Sequence, residues 1–533
     1  MKKKIKNVAI FIVFLVASIM IIGSIYYAKE YPTQEFDQIL YYVLNGVEYT
    51  APSVVNSVIL SCVIPVVLVT LFLFALTIKN TKKVTYLMLK IRKREFKIRI
   101  YPRKFIANHR AIYVMIVFII AILFVIFGFK IDKYIKNRIQ ETKIYEEHYV
   151  DARNVNIKFP EEKRNLILIV VESLENTVLS KANGGAWEYS IVPELEELAL
   201  KNTNFSHVER LGGAYQVSGT SFSAGGIVAM NSGIPLASGQ VLKDVNNYTG
   251  NGQYLSGAYS LGDILKEEGY NLEVIMGSEG TFGGRAQYFN THGGYKIFDV
   301  NYAIEQGKMK SSDKVWWGFE DDKLFKWSKE EITELASKDE PFNFIMITAD
   351  THFVDGYLSP NAENKFELQY ENVHAYSSKL INEFIEWAKQ QEFYEDTTIV
   401  ILGDHLGMQT EFYEAKTDAN YERTIYNTII NPAIEAKNNK NRIFTTIDWY
   451  PTILASMGVE IEGDRLGLGT NLYSTTPTLA EELGLDYLNS ELAKKSSFYN
   501  NYILGEDYYV MKKETQKEED ELNEEDNYNN TGI

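Results

Sequence analysis

NLILIVVESLE, residues 165–175, is the stretch that decides the fold. Its six consecutive apolar residues at 166–171 are mostly β-branched, too few to cross a membrane, and without polar alternation. That pattern fits a strand buried on both faces. The run passes straight into Glu172-Ser173. Similar short runs lie at 272–276, 342–348 and 397–402, with helical stretches at 193–201, 259–268 and 375–391 between them. Strands alternating with helices predict an α/β domain, a mainly parallel sheet flanked by helices on both faces.

In open α/β sheets ligands collect beyond the carboxyl ends of the strands, so the residues following each run are the candidates for chemistry. The first run delivers Glu172. The run 397–402 delivers Gly403-Asp404-His405, and the run 342–348 delivers Asp350-Thr351-His352. The run 272–276 leads into a Gly-rich loop carrying Arg285 and His292. Any one of these alone reads as a helix cap or a solvated loop. Together, carboxylates and imidazoles at successive strand ends suit a divalent cation such as Zn2+ or Mn2+. Residues 218–226, SGTSFSAGG, add three serines and a threonine, all hydroxyl-bearing, just ahead of a small-residue helix. A hydroxyl at a helix start has amide donors and the positive dipole end nearby, which favours a phosphoryl group there.

Upstream the character changes. Runs 7–28, 54–78 and 111–131 are each long enough for the about 20 residues a hydrocarbon core needs. Residues 79–110 carry twelve Lys or Arg against the single acid Glu95, whereas residues 29–53 carry one Lys against four acids. By the positive-inside rule the N-terminus and the second loop are cytoplasmic, and everything after 131 is outside. The expected organisation is a membrane domain at 1–131, a stalk at 132–160, a catalytic domain at 161–480, an extension at 481–511 and an acidic disordered tail at 512–533. Residues 132–533 carry 36 basic against 65 acidic residues, which argues against nucleic acid as a partner. The only Cys, Cys62, lies in the second apolar run, so no disulfide braces the rest.

Residues 165–175, 219–236 (GTSFSAGGIVAMNSGIPL), 403–405, 446–454 (TIDWYPTIL) and 465–469 (RLGLG) resemble the phosphoglycerol transferases. That family, within the alkaline phosphatase/sulfatase superfamily, includes the enzymes that decorate periplasmic glucans and those that make lipoteichoic acid. The resemblance implies that Glu172, Asp404 and His405 bind one divalent metal, with Mn2+ ahead of Zn2+ or Mg2+. It implies that His352 faces the substrate phosphate or helps the leaving group. Arg285 looks like the family's phosphate-contacting arginine, although Phe282-Gly283-Gly284 stands where a Trp is usual, and His292 and Asp350 join it as candidate substrate-binding residues. Two hydroxyls compete as nucleophile: Thr220 by residue type, and Ser223 by its spacing to Gly233. The expected reaction takes glycerol phosphate from phosphatidylglycerol to a glycan or glycolipid acceptor at the cell membrane. A phosphoethanolamine transferase, a phosphatase or sulfatase of the same fold, and an inactive glycan-binding scaffold are the alternatives. A formylglycine made from Cys is excluded outside the membrane, and Ser223 lacks the Pro-Ser-Arg-like continuation such a precursor needs.

Overall fold

A computed structural model describes residues 2–30, 36, 52–77, 86–91, 94–99, 106, 108–237, 253–418 and 420–505. The described residues fall into two compact units that divide between positions 136 and 137.

The first unit is built on three helices, α1 (Lys2–Glu30), α2 (Pro52–Thr77) and α3 (Arg110–Gly128), all long and apolar enough to cross a membrane. Small residues let them approach: Ala17 and Ala121 are fully buried beside Phe14. Large apolar side chains such as Leu60, Leu68 and Phe72 face outward, as they do where lipid is the solvent. Ser24 and Thr70 are satisfied within their own helices, donating to Met20 O and Val66 O, because a hydrocarbon core offers no other acceptor. Residues 86–91 and 94–99 pair as an antiparallel ladder. Residues 79–85, 92–93, 100–105 and 107 of the basic loop lie outside the described residues, as does the expected tail at 512–533.

The second unit holds a six-stranded sheet. Its strands are β1 (Asn165–Val171), β2 (Asn271–Met276), β3 (Lys296–Phe298), β4 (Phe342–Ile347), β5 (Thr397–Gly403) and β6 (Asn427–Ile430), in the order β3-β2-β4-β1-β5-β6. All neighbours are parallel except β5 and β6. The expected α/β fold is therefore present, with an antiparallel edge strand added. Along β1, Leu166, Leu168 and Val170 enter one apolar core, and Ile167, Ile169 and Val171 enter the other. That two-sided burial is why the run shows no polar alternation. Register fixes the site: Val171 pairs with Gly403, so Glu172 and Asp404 leave the sheet side by side.

The segment expected as a stalk is not free along its length. From Ile144 onward it belongs to the domain body, with Tyr145 buried against Tyr499 and Ile157 paired with Ile461. The expected extension is likewise integrated up to residue 505, where Leu488, Leu492, Tyr499 and Ile503 are buried.

Candidate functional site

Glu172, Asp404 and His405 are the only three His, Cys, Asp or Glu side chains among the described residues whose ligand atoms all lie within 4.8 Å of one another. All three are buried. Asp404 Oδ1 is fully used, accepting from the backbone N–H groups of Ser173 and His405, each at 2.8 Å. Asp404 Oδ2 has no hydrogen-bond partner among the described residues and lies 3.4 Å from His405 Nε2. His405 Nε2 is also 3.4 Å from Glu172 Oε1. The other ring nitrogen, Nδ1, faces Leu406 O at 2.8 Å. A carbonyl only accepts, so Nδ1 carries a proton, and Nε2 is the ring nitrogen turned toward the cluster and available to a metal once its own proton is lost.

The charges in this cluster do not balance. Burial works against a charged Glu172, but His405 and His352 outweigh it and hold the carboxyl well below its usual range. Burial, together with the Glu172 charge, pushes Asp404 up to about 7. Burial disfavours an imidazolium at His405, yet Asp404 and Glu172 push it up to about 9. Two buried carboxylates therefore compete for one cationic partner, and Asp404 Oδ2 is left without a hydrogen-bond partner among the described residues. That donor set, two carboxylates and an imidazole, fits a divalent cation and is shared ligand chemistry for Mn2+ and Zn2+.

The helix α4 (Ser223–Ser232) brings a hydroxyl to the same place. Ser223 Oγ donates to Glu172 Oε2 at 2.9 Å and lies 3.5 Å from His405 Nε2. Its single hydroxyl proton is directed at Glu172, which leaves Asp404 Oδ2 unmatched. The approach depends on Gly226, where a Cβ would sit 2.2 Å from Asp404 O. Thr220 is placed elsewhere. It is fully buried, and its hydroxyl closes a turn by donating to Val217 O at 2.9 Å and accepting from Val217 N at 3.1 Å.

His352 follows β4 and is partly open. Its Nδ1 proton goes to Phe353 O at 2.6 Å, and its ring lies 4.6 Å from that of Trp317. Burial pulls its pKa down, so the imidazole is neutral with Nε2 as an acceptor. Arg285 is near enough for its charge to act on His352. Its guanidinium is held by Ser278 Oγ at 2.7 Å and Phe282 O at 3.0 Å. The turn that aims it has two consecutive left-handed residues, Gly283 at φ 65° and Gly284 at φ 69°, a backbone path costly for any residue with a Cβ. This is a local reason for Phe-Gly-Gly in place of Trp.

Two further expected substrate residues are bonded to neighbouring groups, although Asp350 Oδ1 is buried with no hydrogen-bond partner among the described residues. His292 spends Nδ1 on Asp263 Oδ2 at 2.9 Å and Nε2 on Tyr254 O at 2.8 Å, and is buried. Asp350 exchanges bonds with Asp321: Asp321 N donates to Asp350 Oδ2 at 3.1 Å, and Asp350 N to Asp321 Oδ2 at 3.3 Å. Burial and the Asp321 charge push Asp350 well above the usual carboxylate range.

Sequence reasoning missed Trp317, whose ring also lies 5.2 Å from Phe282 and whose Nε1 has no hydrogen-bond partner among the described residues. The Trp316-Trp317 pair was visible but lies far from any strand end in sequence. A buried support was missed as well. Tyr413 OH donates to Ser173 O at 3.0 Å, Tyr370 OH to Thr351 O at 2.7 Å, and Thr351 Oγ1 to Glu172 O at 2.6 Å.

Residues 164–459, more than half of the chain, match the sulfatase family, and the chain belongs to that family. Over 342 residues it is 26% identical to phosphoglycerol transferase I of Xanthomonas campestris pv. campestris (strain B100), covering 61% of this chain and 46% of that one. Over 275 residues it is 30% identical to phosphoglycerol transferase I of Escherichia coli (strain 55989 / EAEC), covering 49% of this chain and 33% of that one. The chain thus spans less than half the length of these curated relatives. Among solved structures it is similar to the lipoteichoic acid synthase LtaP from Listeria monocytogenes, at 17% identity and a TM-score of 0.47, covering 67% of this chain and 96% of that one.

Proposed function

We propose that this protein is a membrane-anchored phosphoglycerol transferase that moves glycerol phosphate from phosphatidylglycerol to a cell-envelope glycan or glycolipid, with Ser223 as nucleophile. The observation that carries the reading is Ser223 Oγ, at a helix start, 2.9 Å from Glu172 and 3.5 Å from His405 in a cluster with an unmatched carboxylate oxygen. The likeness to two phosphoglycerol transferases over roughly half of this chain supports the substrate class.

A divalent cation held by Glu172, Asp404 and His405 would lower the pKa of an adjacent hydroxyl and stabilise charge on the phosphoryl oxygens. In the first half-reaction Ser223 Oγ attacks phosphorus, its bond to phosphorus forms, and the bond to the diacylglycerol oxygen breaks. The serine proton ends on diacylglycerol. In the second, an acceptor hydroxyl attacks the glycerophosphoserine, and its proton returns to Ser223. Neutral His352, with Nε2 open as an acceptor, is suited to take the acceptor's proton, and Arg285 to orient the phosphate. The three apolar helices would hold the domain at the leaflet where the lipid headgroup lies, raising its effective concentration, with residues after 131 outside the cytoplasm.

Purified protein in liposomes with fluorescent phosphatidylglycerol should release fluorescent diacylglycerol in a metal-dependent way. Consumption of phosphatidylethanolamine with phosphatidylglycerol untouched would replace this reading by the ethanolamine one.

A further inference from the structure

Glu175 and Arg423 form a buried ion pair, with side chains 0% and 10% exposed. Arg423 Nε donates to Glu175 Oε1 at 2.9 Å and Nη2 to Oε2 at 2.6 Å, a two-pronged contact. Both partners then reach the loop that follows His405. Glu175 Oε2 accepts from Gly407 N at 2.8 Å, and Arg423 Nη2 donates to Gly407 O at 2.7 Å. Thr177 Oγ1 adds a further bond to Glu175 Oε1.

Gly407 N–H and Leu406 C=O belong to one peptide group. That group is planar and trans, so fixing the N–H fixes the direction of the carbonyl. The same Leu406 carbonyl accepts the Nδ1 proton of His405 at 2.8 Å. Glu175 is thus linked to His405 through a single rigid peptide, with the carboxylate at one end and the imidazole at the other. Carboxylates that bond a ligating histidine directly fix its tautomer and orientation, and here a peptide unit stands between them. Glu175 also lies three residues after Glu172, so the pair ties one ligand-bearing segment to the other. The Arg423 guanidinium lies 5.1 Å from the ring of Tyr413, whose hydroxyl donates to Ser173 O beside Glu172. A Cβ on Gly407 would meet that ring at 1.9 Å, which keeps the loop flush against it. Stability alone does not call for this arrangement, because well-packed apolar residues often serve a core as well as a buried ion pair. What an apolar pair cannot supply is direction at the 406–407 peptide.

We infer that Glu175 and Arg423 are positioning residues that set the orientation of His405 through the 406–407 peptide and thereby tune divalent-metal affinity. This rests on the reading of Glu172, Asp404 and His405 as a metal site. The test titrates Mn2+ into the metal-free full-length protein in detergent, and records the visible spectrum of the Co2+ form. Glu175→Gln and Arg423→Lys are compared with wild type, and the Tm of each metal-free protein is measured alongside. The expected result is a ~10–100-fold weaker Mn2+ affinity in both variants, with an altered Co2+ spectrum in variants that still unfold cooperatively. The double variant should lose less than the sum of the two, since both act through one contact. Variants with lowered Tm but Mn2+ affinity within twofold of wild type and an unchanged Co2+ spectrum would overturn the inference and leave a purely structural pair. Should Glu175→Gln not fold, Arg423→Lys, which keeps the charge, decides in the same way. Failure of the wild type to bind Mn2+ or Co2+ would instead sink the metal site itself.

Discussion

His292 and His405 are both buried histidines beside carboxylates in one domain, and they differ in what is left over. His292 has a partner for each ring nitrogen. Its carboxylate, Asp263, is used in full, accepting from Ser260 N at 2.9 Å and Gly293 N at 3.0 Å as well. Burial works against the Asp263 charge, but the His292 bond more than offsets it and holds the carboxyl below its usual range. His405 faces two carboxylates, and Asp404 Oδ2 has no hydrogen-bond partner among the described residues. The first group is closed and holds the fold together. The second is open, with excess negative charge and a hydroxyl aimed at it, and fits a cation that the chain itself does not supply.

The sharpest way to break that contrast is to discharge the open group. Asp404→Asn keeps the Oδ1 acceptor but removes the charge. Turnover should fall ~10³-fold or more, about 4 kcal/mol of barrier, while the Tm of the metal-free protein stays level or rises because a buried like-charge repulsion is gone. Near-normal turnover with full metal occupancy would place the metal elsewhere. The closed group should respond in the opposite sense. His292→Ala should cost about 2–3 kcal/mol in urea unfolding by stranding Tyr254 O and part of Asp263, with kcat of the folded fraction within a few-fold of wild type. A selective loss of turnover without loss of stability would return His292 to the site.

The strand ends were legible because buried parallel strands are nearly uniform in composition, so the first polar residue after each run stands out. Glu172, Asp404 and His405 were found that way. The choice between Thr220 and Ser223 was not legible, since only two residues lie between them and only the backbone decides which hydroxyl starts the helix and which closes the turn. The bonds that His292 and Asp350 make to their neighbours were not legible either, because a histidine or acid near a strand end looks the same whether its partners are ligands or backbone groups. Arg423, Tyr413 and His374 were missed for a different reason. They arrive from helices and loops away from the strand ends, and only the folded chain brings them behind Ser173 and Gly407.

His374 offers a smaller test of that support layer. Its Nε2 lies 3.0 Å from Tyr413 OH, Nδ1 has no hydrogen-bond partner among the described residues, and burial pushes its pKa down to about 3 from an ordinary 6.5. The unfolded chain therefore takes up a proton below about 6.5 that the native state refuses until about 3. Stability contributed by neutral His374 is full above that window and declines as pH falls through it, at up to ~1.4 kcal/mol per pH unit. Urea unfolding of wild type and His374→Gln at several pH values between 7 and 4 should show a shallower acid decline in the variant. Parallel curves would mean that His374 is protonated in the native state or already exposed.

The central claim is that the hydroxyl beside the open group does the attacking. Incubating the protein with labelled phosphatidylglycerol and no acceptor, quenching in acid and locating the label by mass spectrometry tests it directly. Glycerophosphate should be found on Ser223, and Ser223→Ala should lose both the label and diacylglycerol release while Thr220→Ala, about 1 kcal/mol less stable for its lost turn bond, keeps both. A label on Thr220, or diacylglycerol release with no labelled residue at all, would contradict the account.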